Sequence, residues 1–187
     1  MTNIPTTYSI DSWIGSRGEL KAYPNDFEGV LSEVEIYQCA SSGKRVIISN
    51  GVPDHDVTLQ NRNGLCEVHW VIEMPLNPVV AGSPTEIPLR GMIAMSANGV
   101  PAFGPMEANS LNAVELTTED AVVGAGFWYG HASGDSTWHF HNPNMGEEFV
   151  TTETLLGYAM DGFPIYGALD DNEVGQLDAC NGIIDTD

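Results

Sequence analysis

"MIAMSANGVPAFGP", residues 92–105, is an apolar run broken by Asn-Gly, a proline two places later, and then a small residue, an aromatic and a glycine. At an offset of 63 residues, "LLGYAMDGFPIYGA" (155–168) aligns with it without a gap. Asn-Gly and Asp-Gly favour tight turns because both residues tolerate positive φ, and the proline cannot pair in a ladder through its own nitrogen. Each stretch therefore reads as strand, turn and edge segment. A third, looser copy is "VIISNGVPDH" (46–55). The match of flanking positions in the first two argues for internal duplication rather than chance reuse of a turn dipeptide.

Working outward, the short alternating or β-branched stretches "VEIYQ", "RVIIS", "EVHWVIEM" and "TWHFH" are separated by Gly, Pro, Asn and Asp. That is the pattern of an all-β fold, expected here as sandwich-like antiparallel sheets built around the Asn/Asp-Gly-x-Pro repeat, with few or no helices. "TTETLLGYAM" is the one place for a short helical turn, capped by Thr152 or Thr154. The Pro-rich piece from Pro75 to Pro88 reads as an ordered loop between strands rather than a domain boundary. Residues 1–44 are expected to supply N-terminal strands and a lead-in that join 45–187 in one compact domain.

With 187 residues the chain can bury a core without disulfides or a structural metal, so any metal here needs a reason other than size. No apolar run is long enough to span a bilayer as a helix. Six Lys and Arg against 26 Asp and Glu give a net charge of −20, a field that repels phosphate backbones and raises the local concentration of cations. Nucleic acid is therefore not an expected partner. The acidity equally fits a highly soluble surface. Cys39, Cys66 and Cys180 show no C-x-x-C spacing, which argues against a zinc knuckle; a Cys39–Cys66 pair would indicate an oxidising compartment.

Five histidines are present, and three fall within "FWYGHASGDSTWHFHN" (127–142). Ser133 to Ser136 carry turn chemistry between aromatic flanks, so the stretch reads as a β-hairpin centred on Asp135. His131 is then opposite His139. Side chains two apart on a strand, and residues directly opposed, share a face. Tyr129, His131, His139 and His141 are thus placed on one face, and Trp128, Ala132, Trp138 and Phe140 on the other, where they can anchor the ribbon on a second sheet. Three imidazoles from adjacent strands match the ligand preference of copper or zinc and leave a coordination position open. A register slip of one residue would turn His131 away. His69, alternating with Val68 and Trp70, would be a fourth ligand only if its strand packs beside the hairpin. His55, between Asp54 and Asp56, reads as a carboxylate-paired histidine. "DDNEVGQLDACN" from Asp170 lacks the oxygen donors of a calcium loop at Val174 and Asn181.

In their order, "SNGVPDH", "ANGVPAFGP", "GHASGDSTWHFHNP" and "LLGYAMDGFPIYG" followed by "LDACNG" resemble the YHYH family, named for a Tyr-His-Tyr-His motif after a Gly-His and a short turn. Trp138 and Phe140 stand where that motif has tyrosines, while both of its histidines and the Gly-His are kept. A second Gly-His unit can follow the Asp-Gly-Phe-Pro-Ile-Tyr stretch in the family. Ile183 stands where its histidine would be, so the resemblance implies a chain that stops short of that second unit. It also implies an envelope or extracellular setting, since members often carry export signals, although "MTNIPTTYSIDSWIG" is not itself a secretory signal.

The function expected from these readings is an exported, acidic β domain that binds one copper or zinc ion through His131, His139 and His141, with Tyr129 or His69 as neighbours. The rivals are a metal-dependent oxidase or hydrolase using Asp135 or Glu67 as base, and a structural domain whose histidines only pack.

Overall fold

The computed structural model describes residues 12–13, 17–20, 31–55, 66–107, 112–113, 130–141, 151–167, 169, 177–178 and 182–183. Among these the chain is all-β, and no helix is long and apolar enough to cross a membrane. The strands are β1 (Ser12–Trp13), β2 (Arg17–Leu20), β3 (Leu31–Cys39), β4 (Lys44–Ser49), β5 (Trp70–Pro75), β6 (Met92–Ser96), β7 (Pro101–Phe103), β8 (His131–Ala132), β9 (Trp138–His139), β10 (Leu155–Ala159) and β11 (Pro164–Tyr166).

They form a five-stranded sheet in the order β1-β3-β4-β5 with β2 also on β3, a four-stranded sheet in the order β11-β10-β6-β7, and the two-stranded ribbon β8-β9. All strand pairs are antiparallel. The central β4 is buried on both faces, as its unbroken apolar run Val46-Ile47-Ile48 requires. Ile47 joins Val34, Ile36 and Met74 against Met95 and Tyr158 of the four-stranded sheet, and this shared core gives the sandwich arrangement. Val46 and Ile48 point the other way, with Tyr37 and Cys39. Cys39 is not joined to exposed Cys66, so the disulfide considered from the sequence does not form.

The two stretches related by 63 residues fold alike. β6 pairs with β7 as Met92↔Phe103, Ala94↔Ala102 and Met95↔Pro101; β10 pairs with β11 as Leu155↔Tyr166, Gly157↔Ile165 and Tyr158↔Pro164, with the register shift at the same place in each. Their turn glycines, Gly99 and Gly162, both have positive φ (83° and 97°). β6 and β10 lie side by side, with Met95 opposite Tyr158. The partner hydrogen bonds correspond too: Ala97 N–H to Leu156 O matches Met160 N–H to Ile93 O, and Gly104 N–H to Gly91 O matches Gly167 N–H to Thr154 O. β7 and β11 end up at the two sheet edges, where a proline is tolerated. The third stretch departs from this pattern, since β4 and Gly51 are followed by buried Val52 and Pro53 with no return strand through His55.

"TTETLLGYAM" contains no helix. Thr151 instead closes a turn with Thr154, whose N–H reaches the Thr151 carbonyl, and β10 starts at once. The hydroxyls compete for the backbone groups that a first helical turn would need. The Pro75–Pro88 region is a loop between β5 and β6 with Val79, Val80 and Ile87 exposed.

Candidate metal centre

The histidine ribbon is seated on the edge and outer face of the four-stranded sheet. Its register is His131↔His139 and Ala132↔Trp138, the pairing expected for a reversal about Asp135. The turn is held locally. Ser136 N–H donates to the Ser133 carbonyl, Ser133 N–H to the Thr137 carbonyl (both 2.9 Å), and the Asp135 carboxylate accepts from the Ser133 hydroxyl and the Thr137 N–H. Ser136 carries the positive φ (68°) that a three-residue hairpin loop needs at its last position.

Ala132, Trp138 and Phe140 pack with Ala94, Ala102, Leu156, Val52 and Val100, which is the anchored back predicted from the alternation. Past His139 the chain leaves β8 and pairs in parallel with β7: Phe140 N–H donates to the Pro101 carbonyl (2.9 Å) and Phe103 N–H to the Phe140 carbonyl (2.8 Å). Gly130 opens the ribbon with φ of 79°, and a Cβ there would run into the His139 carbonyl oxygen, so only glycine fits beside the site.

On the other face His131, His139 and His141 come together, each offering a ring nitrogen within 4.8 Å of the others. His139 and His141 are buried, and Phe103 stacks on His139 at 4.2 Å between ring centres. His141 Nδ1 donates to the Gly104 carbonyl (2.7 Å), and His139 Nδ1 faces the Thr137 carbonyl at 3.2 Å. A carbonyl can only accept, so each ring carries a hydrogen on Nδ1 and turns Nε2 toward the cluster. Those two Nε2 atoms are 3.1 Å apart.

Glu107, four residues past the end of β7, supplies a carboxylate that the sequence reading missed. Its Oε1 lies 2.8 Å from His131 Nε2 and 3.1 Å from His141 Nε2, and the side chains are nearly enclosed. His131 first and then His141 hold this carboxyl well below the usual carboxylate range, outweighing the burial that opposes it. The sequence does carry a signal. Extending the 63-residue alignment past Gly104 and Gly167 sets Glu107 against Asp170, an acid in both copies. Glu67 is exposed and accepts from Asn50 Nδ2, and Asp135 is spent on the turn, so neither joins the cluster proposed to need a base. His69 is exposed, precedes β5 rather than lying in it, and is not part of the histidine group. His55 is half-buried, with its ring 5.8 Å from Phe140. Tyr129, Trp128, Cys180 and the Asp170 loop lie outside the described residues, apart from a few positions of that loop.

Burial, reinforced by His131 and His141, pushes His139 down from 6.5 to about 3 against the opposing influence of the Thr137 carbonyl and Glu107. The imidazole is thus neutral and able to donate its lone pair at neutral pH. Its pKa is lower folded than unfolded, so between 6.5 and about 3 the unfolded chain takes up a proton that the folded chain refuses. Stability of the metal-free protein falls as pH falls through that window, by at most about 1.4 kcal/mol per pH unit from this group, and this loss ends below about 3. Glu107 acts in the same direction, its contribution being present above 4.5 and lost as pH falls. Urea midpoints measured at pH 7, 5.5 and 4.5 should decline, and the decline should be shallower in His139→Asn. Equal slopes in the two proteins would contradict a buried neutral His139.

A family model described as "YHYH protein" matches residues 71–174, more than half of the 187-residue chain. No curated protein and no solved structure matches it. The match contains the β6-to-β11 sheet, the ribbon with its three histidines, and Glu107; the chain belongs to the YHYH family.

Proposed function

We propose that this domain captures one transition-metal ion, copper or zinc, through His131, His139 and His141, and that it does so outside the cytoplasm. The observation that carries the reading is the apposition of the His139 and His141 Nε2 atoms at 3.1 Å, both with their Nδ1 hydrogens committed to carbonyls. Two lone pairs so placed repel unless a cation lies between them. Burial opposes a proton on His139, and a metal ion shared by the two nitrogens satisfies both, in competition with a hydrogen bond from one ring to the other. Metal-binding histidines commonly donate their other ring N–H to a carbonyl, which fixes the tautomer and the ring. For tetrahedral ligands at about 2.0–2.1 Å, neighbouring nitrogens lie about 3.3 Å apart; His139 and His141 at 3.1 Å are near that spacing, and His131, in a cluster that spreads to 4.8 Å, closes toward them on binding.

The acidic chain favours cation accumulation near the site, and the extracellular or periplasmic setting rests on the export signals common among YHYH proteins. Capture rather than catalysis is the reading preferred, because Glu107 is tied to two of the histidines, while Glu67 is held by Asn50 and Asp135 by the turn. A ligand that binds only the folded state raises the melting temperature by mass action, so zinc or copper at about 100 times Kd should add about 2.7 kcal/mol. Melting curves of metal-stripped protein with each ion test this. Unchanged curves up to millimolar ion would oppose it.

A further inference from the structure

We propose that Glu107 is a fourth ligand in this site, and that its carboxylate suits the site to a divalent ion, zinc or copper(II), rather than to copper(I). The inference rests on the metal reading above and concerns which ion the site takes.

Glu107 is not a surface acid that happens to swing near the histidines. The residues beside it are tied down: Met106 N–H donates to the Leu89 carbonyl (3.0 Å), Met106 bridges to Asn112, and Ala113 N–H donates to the Pro105 carbonyl (2.7 Å). The β7 edge therefore sets Phe103 over His139, Gly104 behind His141 and Glu107 across from both His131 and His141. One tether positions the whole inner surface of the site.

The direction of approach separates ligation from simple pairing. Glu107 Oε1 is 2.8 Å from His131 Nε2, close enough for a strong interaction, yet both atoms are buried without a hydrogen bond of good geometry. A buried carboxylate oxygen left in that state is costly. Ligand atoms on one ion behave in this way: they crowd to about 3 Å from each other while their lone pairs all aim at a shared centre. The separations Glu107–His131, Glu107–His141 and His139–His141, 2.8, 3.1 and 3.1 Å, have that form, while the histidine atoms as a group spread to 4.8 Å and close in when an ion binds.

Charge and hardness then select the ion. Three neutral imidazoles and one carboxylate leave a divalent ion with one net positive charge and cancel a monovalent one. A carboxylate oxygen is a hard donor, and among the described residues the histidine cluster includes no thiolate, the soft donor that copper(I) favours. Zinc and copper(II) accept this donor set.

The test compares metal-stripped wild type, E107Q and E107D by competition with chromophoric chelators, using zinc, copper(II), and copper(I) under reducing conditions. The proposal expects E107Q to bind zinc and copper(II) about 100-fold more weakly while copper(I) changes less than about threefold, with E107D intermediate. The copper(II) EPR spectrum should also lose its oxygen-ligand signature in E107Q. Unchanged zinc and copper(II) affinities in E107Q overturn the proposal. So does an equal loss for all three ions with an unaltered EPR spectrum, which would make Glu107 an orienting partner of His131. Should E107Q fail to fold, E107D carries the test, and wild-type-like affinity with an unaltered EPR spectrum there counts against ligation. Wild type that binds none of the three ions is a separate result, against the histidine site itself.

Discussion

Replacing His139 by alanine is expected to weaken zinc or copper binding by at least about 100-fold while the domain stays folded. The ring supplies an Nε2 lone pair fixed by the Thr137 carbonyl and held neutral by burial, and among the described residues only His131 and His141 join it in the histidine group. The fold tolerates the change because two opposing effects meet there. Losing the stack on Phe103 is unfavourable, but the change also removes the crowding of two buried ring nitrogens 3.1 Å apart. His141→Ala should match it, and the double variant should be little worse than either, since the site acts as a unit. His69→Ala is the internal control. It is exposed and outside the cluster, so affinity should be unchanged. Isothermal titration of the four variants measures all of this, and retained affinity in His139→Ala would remove that residue from the ligand set.

The second large effect is on stability. Trp138→Ala should cost about 3–5 kcal/mol, the range for deleting a large buried aromatic. Trp138 is 2 % exposed and packs in the cluster that joins the ribbon to β6, β7 and β10. Because stabilities of domains this size are usually about 5–15 kcal/mol, such a loss takes a large share of the total. The same change frees the back of the ribbon, so metal affinity should fall with it although Trp138 touches no ion. Trp138→Phe should recover much of both. Denaturant midpoints with and without metal give the answer, and a loss below about 1 kcal/mol would mean that the ribbon is anchored elsewhere.

Much of this architecture was readable because it follows from local rules. The Asn-Gly and Asp-Gly turns with a proline two places on gave matching hairpins, and the prolines went to sheet edges where their missing N–H does no harm. The ribbon register followed from turn residues around Asp135 and a two-residue period, which together put His131 opposite His139. Where only local cues were used for non-local facts, the reading failed. Glu107 reaches the histidines because Phe140 pairs with Ala102 in parallel, a contact between residues far apart in sequence that no periodicity encodes. The three-copy reading overreached for a related reason: Val52 and Pro53 were drawn into the core, and no return strand follows them among the described residues. Thr152 or Thr154 was taken as helix-cap chemistry, but the Thr154 hydroxyl instead closes a turn with Thr151 before a strand.

The most direct measurement is the metal content of untagged wild-type protein, loaded with zinc or copper, dialysed and analysed by mass spectrometry of the elements. The account predicts close to one ion per chain, abolished in a variant lacking both His139 and His141. Wild-type protein that keeps no ion under these conditions would contradict it.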